Sequence, residues 1–267
     1  MYAIVTHLLV FWLLASHFQR WGQRRDSFHG ECDLVLVHSE QFANGQGFDL
    51  HARTTIDTYY SYIEGLALGI GDTVLEIEQD GFYVDGDLYS FDALPLKFGT
   101  SEDGMYVLEM TGHKKDSKNL ALKTSSGNDI ISFKVYKHFL QYTLGGRTDL
   151  SDAVGLLGQF STGNMYGRDG QTFENFKEYA FEWQVRPDLD PSLFHESREP
   201  QLPHELCRLP TAARPGRRQL RTANEGLYQQ AEKACTAVVK NDHDHQLCVE
   251  DIMMTGDLGL TETWDYV

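Results

Sequence analysis

From residue 32 to residue 158 the apolar side chains come in short runs, many alternating with polar ones, and turn-forming residues separate the runs. An alternation of period two puts successive side chains on opposite faces of a strand, so this stretch predicts β-structure with one face buried and one wet. Residues 33–38, 48–56 and 60–70 are the first three strands, broken at Asn44-Gly45 and at Gly69-Ile70-Gly71. Residues 73–78 then meet 82–84 across Gln79-Asp80-Gly81, and Asp85-Gly86 closes the next turn. Asp-Gly pairs tolerate the positive φ that tight hairpins demand. Residues 106–110, 120–123, 130–136 and 139–144 continue the meander, with Ser126-Gly127 and Gly145-Gly146 as further turns. Within 130–136, Ile131, Phe133 and Val135 share one face while Ser132, Lys134 and Tyr136 share the other. So many short strands specify an all-β fold, a multi-stranded antiparallel sandwich or a barrel-like domain.

Past Trp183 the character changes. Pro187, Pro191, Pro200, Pro203, Pro210 and Pro215 precede and mingle with Arg214, Arg217, Arg218 and Arg221, the composition of an exposed linker. Leu227, Ala231, Ala234, Cys235 and Val238 then recur at helical spacing, which predicts an amphipathic helix over 224–239, and a second short helix starts near Cys248. Residues 241–245 between them read as a hydrophilic loop. At the other end, residues 3–15 are apolar apart from Thr6 and His7. That length suits the core of a signal peptide better than a bilayer span of about 20 residues, with a retained signal anchor as the alternative. The expected division is a targeting segment over 1–15, a β domain over 16–207, a Pro/Arg-rich linker over 208–223 and a helical, cysteine-paired extension over 224–267.

The chain has 267 residues and a formal net charge of −16. Nucleic acid is thereby excluded as a partner, because phosphate binding rests on clustered Lys and Arg. Four cysteines occur, Cys32, Cys207, Cys235 and Cys248, enough for two disulfides in an oxidising compartment. Cys235, His243, His245 and Cys248 also form a zinc-type ligand set, although twelve residues separate the cysteines where structural zinc sites use two to four. Glu76 and Glu78 share a strand face, which period-two alternation assigns to water, so they read as solubility residues. The glycines around Ser161 sit at the wrong offsets for a nucleophile elbow. No phosphate-cradling glycine loop and no Asn-x-Ser/Thr acceptor is present. No small-molecule substrate is expected.

Three stretches taken together resemble a von Willebrand factor type D domain: Phe28-x-Gly30-x-Cys32 leading into a strand, Gly155-Leu156-Leu157-Gly158, and Glu178-Tyr179-Ala180-Phe181-Glu182-Trp183-Gln184-Val185. His17-Phe18 and Trp21 fall in the matching places ahead of them, and the resemblance covers residues 17–207. It implies an extracellular, non-enzymatic structural or adhesive module whose partners are matrix or cell-surface proteins. It also implies a bond between Cys32 and Cys207. The family's second bond is missing at both ends, since Leu157 stands at its cysteine position and no cysteine precedes Trp21. The family's Gly-Asp-Pro-His opening is reduced to Ser16-His17, so its self-cleavage is not carried over. Its calcium loop keeps only Asn164 and Asp169 as oxygen donors, where calcium wants about six to eight, so calcium would bind weakly there. The tail resembles the cysteine-paired helical extension that follows such domains, implying a Cys235 to Cys248 bond. Two other classes stay open from the residues: an all-β hydrolase or carbohydrate-active protein using paired carboxylates, and an intracellular zinc protein built on the tail cluster.

Overall fold

The alternating stretches form two antiparallel meanders. The computed structural model describes residues 17–99, 106–144, 148–198 and 207–264. The targeting segment expected over 1–15 and the Gly145-Gly146 turn lie outside the described residues. One sheet has six strands in sequence order: β3 (Asp33–Ser39), β4 (Phe48–Asp57), β5 (Tyr60–Ile70), β6 (Thr73–Ile77), β7 (Phe82–Val84) and β8 (Asp87–Tyr89). The other has five: β9 (Leu96–Phe98), β10 (Tyr106–Lys114), β11 (Ser117–Thr124), β12 (Asp129–Tyr136) and β13 (Phe139–Leu144). A small hairpin of β1 (His17–Gln19) and β2 (Arg25–Ser27) precedes them. Leu34, Leu36, Leu50, Leu66 and Leu68 of the first sheet share one buried core with Leu108, Leu120, Leu122, Phe133 and Tyr142 of the second, giving a β-sandwich-like body.

Local chemistry accounts for the turns. Asp85 (φ 51°) and Gly86 (φ 87°) both take positive φ between the paired Val84 and Asp87, the geometry expected of an Asp-Gly hairpin. The expected break at Gly69 is not a break: β5 runs on to Ile70, and Gly69 pairs with both Asp49 and Val74. Strands β1, β2 and β9 have three residues each, too few to show a period.

Phe42–Gly45 makes a distorted helical turn, α1, and Phe176–Glu182 forms α2, whose first N–H groups are capped by Asn175 Oδ1 at 2.8 Å from Lys177 N. The stretch expected as a linker contains a helix, α3 (Arg217–Ala223). Arg214 and Arg217 both pair with Glu250, so charge holds this segment against the tail. The helices α4 (Glu225–Val238) and α5 (Asp242–Thr255) follow. Residues 242–245, expected as loop, are the first turn of α5, because Asn241 Oδ1 accepts the Asp244 N–H at 2.8 Å and starts the helix there. The extension packs Ala231, Leu247, Val249, Ile252, Leu260 and Trp264 against Tyr60, Tyr136 and Phe139 at the end of the sandwich. His17 Nε2 reaches Asp251 Oδ1 at 3.1 Å, both side chains fully buried, and Arg25 pairs with Asp244.

No helix among the described residues is long and apolar enough to cross a membrane. All four cysteines are bonded, Cys32 to Cys207 and Cys235 to Cys248, which suits an oxidising extracellular environment.

Candidate functional site

The outer face of the six-stranded sheet is where the structure departs most from its strand alternation. On β5 that face carries Gly65, Ala67 and Gly69, a trough of small residues. Register sets His51 and Arg53 of β4 on one side of the trough and Val74 and Glu76 of β6 on the other. Residues 191–198 cross this face as a strap. Leu193 and Phe194 fill the trough and are buried with Ala67, and a Cβ on Gly69 would stand only 3.0 Å from Leu193 Cδ2.

Cations hold the strap down. Arg53 forks onto Asp33 with bonds of 2.9 and 2.8 Å, donates to Glu196 O at 2.7 Å, and lies 4.1 Å from the centre of the Phe194 ring. Arg198 pairs with Glu64 and donates to Thr54 O at 2.5 Å. Arg168 forks onto Asp190, just ahead of the strap, with bonds of 2.7 and 2.9 Å.

The strap also buries Glu76. Its side chain is 2 % exposed, so the expectation that Glu76 is a solvated solubility residue is corrected. Period two was right about which residues share the face, but a distant segment decided that the face is dry. Glu76 Oε2 accepts the His195 backbone N–H at 2.9 Å and lies 2.9 Å from His195 Nδ1. The His195 ring stacks on Tyr83, with ring centroids 3.9 Å apart. Glu76 Oε1 is buried and has no hydrogen-bond donor among the described residues. Glu78 stands beside it: one oxygen from each glutamate and a ring nitrogen of His195 lie within 4.8 Å of one another. Burial, then the charge of Glu76, raise the Glu78 carboxyl above its ordinary value, against the pull of His195 and Arg53. A cation between two carboxyls this close would offset their mutual repulsion. A cavity of about 320 Å³ opens beside them, lined by Asp72, Val74, Tyr83 and Asp85.

Across the trough, His51 is 0 % exposed and neither ring nitrogen has a partner among the described residues. It borders a second cavity of about 260 Å³, with Asp33, Arg53 and Asp190. Burial, with Arg168 adding to it, lowers the His51 pKa to about 4 despite the carboxylates of Asp49, Asp190 and Asp33. A group whose folded value is depressed from 6.5 supports the fold fully above pH 6.5 and loses that contribution as pH falls toward 4. Over that interval His51 alone should cost about 3 kcal/mol of stability, an order-of-magnitude figure. His29 acts in the same sense, lowered to about 3 by burial, then by His17 and Arg214. Urea unfolding at pH 7 and at pH 4.5 checks this: the His51→Leu chain should lose clearly less stability between the two than the parent, and equal losses would refute it.

The residues singled out from sequence scatter. Cys235 and Cys248 are bonded to each other, so no thiolate remains for the tail zinc site. His243 Nε2 lies 2.9 Å from Arg25 O, and His245 Nε2 lies 3.1 Å from Thr236 Oγ1. Asn164 and Asp169 are both exposed; Asp169 Oδ1 accepts the Gln171 N–H at 2.9 Å, and neither joins a metal-type cluster of His, Cys, Asp and Glu among the described residues. His51 and His195 went unread, and Glu76 was read as a solvated residue. The one trace of them was Gly65-x-Ala67-x-Gly69, small side chains at period two, which marks a strand face closely approached by something else. No protein-family model matches this chain, and no curated protein matches it in sequence.

Proposed function

We propose that this chain is a secreted, non-enzymatic structural and adhesive module of the von Willebrand type D kind, working by presenting a rigid sheet surface to matrix or cell-surface proteins. The observation that carries the reading is the meeting on β3 of the stretches behind the resemblance. Leu156 and Leu157 N–H donate to Val35 O and Leu36 O at 2.9 and 3.1 Å. Val35 N–H also donates to Trp183 O at 2.8 Å, and Val185 N–H donates to Asp33 O at 2.9 Å. The Cys32–Cys207 pair is the one the resemblance implies, and it seals the approach to the same strand. A rigid sandwich of this kind loses little conformational freedom on binding, which favours contact through a preformed surface. A hydrolase would instead need two carboxylates about 5 to 10 Å apart facing an open cleft, and here one of the paired glutamates is sealed under the strap.

Expression through an oxidising secretory pathway, with peptide mapping of the unreduced product, tests the reading. Linked peptides Cys32 with Cys207 and Cys235 with Cys248, on a medium-borne product that begins near Ser16, are expected. Four free thiols, or a product held in membranes with Met1 in place, would sink it.

A further inference from the structure

We propose that Glu76, Glu78 and His195 form a binding site for a zinc-class divalent cation that pins the strap to the outer face of the six-stranded sheet. Three observations carry this. The donors come from two separate segments, β6 with the residue after it and the strap, and already lie within 4.8 Å of one another. Glu76 Oε1 is buried in the cluster without a donor among the described residues, and a buried carboxylate oxygen left without a partner costs free energy that a cation would recover. The third is how firmly the imidazole is placed. His195 is held by its own backbone N–H on Glu76 Oε2 at 2.9 Å and by the stack on Tyr83, so little ordering remains to be done on binding.

The donor set decides the metal class. Calcium and magnesium prefer oxygen throughout, whereas imidazole with two carboxylates suits zinc and its first-row neighbours. Zinc holds nitrogen and oxygen at about 2.0 to 2.2 Å, which puts tetrahedral neighbours roughly 3.4 Å apart. Glu76 Oε2 and His195 Nδ1, 2.9 Å apart in their hydrogen bond, need to open by only about half an ångström to reach that spacing. The larger movement, a contraction, falls on Glu78, the half-buried arm beyond the end of β6, while Glu76 and His195 shift little. A fourth position on the cavity side would take water. This site is independent of the module reading and of the tail histidines.

The test is calorimetric titration of zinc chloride into the secreted, chelator-stripped full chain, with thermal melts in parallel. One equivalent should bind and raise the melting temperature, and calcium chloride should bind far more weakly. Glu78→Gln and His195→Gln should each weaken zinc about tenfold or more and abolish the melting shift. Glu78→Gln is the deciding variant, because glutamine keeps the shape of this half-buried side chain, and melting each protein with chelator and with zinc separates any change in the metal-free fold from loss of the zinc shift. No zinc binding by the parent, undiminished binding by Glu78→Gln and His195→Gln, or calcium bound as tightly as zinc would each overturn the proposal.

Discussion

Replacing Cys32 and Cys207 together by serine is expected to remove about 5 kcal/mol of stability, the nominal chain-entropy value for so long a closed loop. The bond spans 175 residues, nearly the whole sandwich, and both sulfurs are fully buried. Around it Glu31 N–H donates to Arg208 O at 2.8 Å, Arg208 N–H returns to Glu31 O at 3.1 Å, and Thr54 Oγ1 takes the Cys32 N–H at 3.1 Å. Beside the bond, the hydrogen-bonded pair of Glu31 and Arg208 and their ion pair hold this part of the chain next to the start of β3. For a domain whose total stability is of the order of 5 to 15 kcal/mol, the melting temperature should fall by about 10 to 20 °C. The Cys235→Ser/Cys248→Ser pair should lose less, about 3 kcal/mol, because its loop spans only 13 residues. Thermal and urea unfolding of both variants measures the difference. A loss under about 1 kcal/mol for Cys32→Ser/Cys207→Ser would show that packing, not the bond, holds that end.

Gly155→Ala should be nearly as damaging, at about 3 to 5 kcal/mol. Gly155 has φ +126°, a conformation that side chains disfavour, and an added Cβ would stand 2.5 Å from Leu36 O and 2.8 Å from Leu36 C. Neither neighbour can yield. Leu36 O accepts the Leu157 N–H at 3.1 Å inside the paired β3, and Tyr179 OH donates to Gly155 O at 2.6 Å from the other side. The control is Gly86→Ala in the β7–β8 turn, where φ is +87° and nothing lies within 4 Å of the added methyl. That variant should show conformational strain alone, about 1 kcal/mol. Equal losses at the two positions would mean that the close approach to Leu36 contributes nothing.

Ile131, Phe133 and Val135 show how far local pattern reaches. They face the core as their alternation requires, because the period of a strand is a property of the backbone and not of its surroundings. The helix over Glu225–Val238 was legible for the same reason, to within one residue at each end. Glu76 shows where that reach ends. Alternation placed it opposite the core face, and that was correct, but its burial depends on a strap residue 119 positions away whose sequence has no period to announce it. The pairing of Cys32 with Cys207 was likewise reached by resemblance, since four cysteines allow three pairings and spacing alone does not choose among them.

Sequence by itself determined the antiparallel run of strands, the hairpin turns that need positive φ, and the helical character of the tail, since each follows from interactions between residues close together in the chain. Tertiary structure alone decided which sheet face is covered twice, that the tail docks on the end of the sandwich through His17 and Asp251, and that Glu76, Glu78 and His195 meet. Those outcomes rest on contacts between segments far apart in sequence, where a local pattern specifies which side chains share a face and leaves open what will cover it.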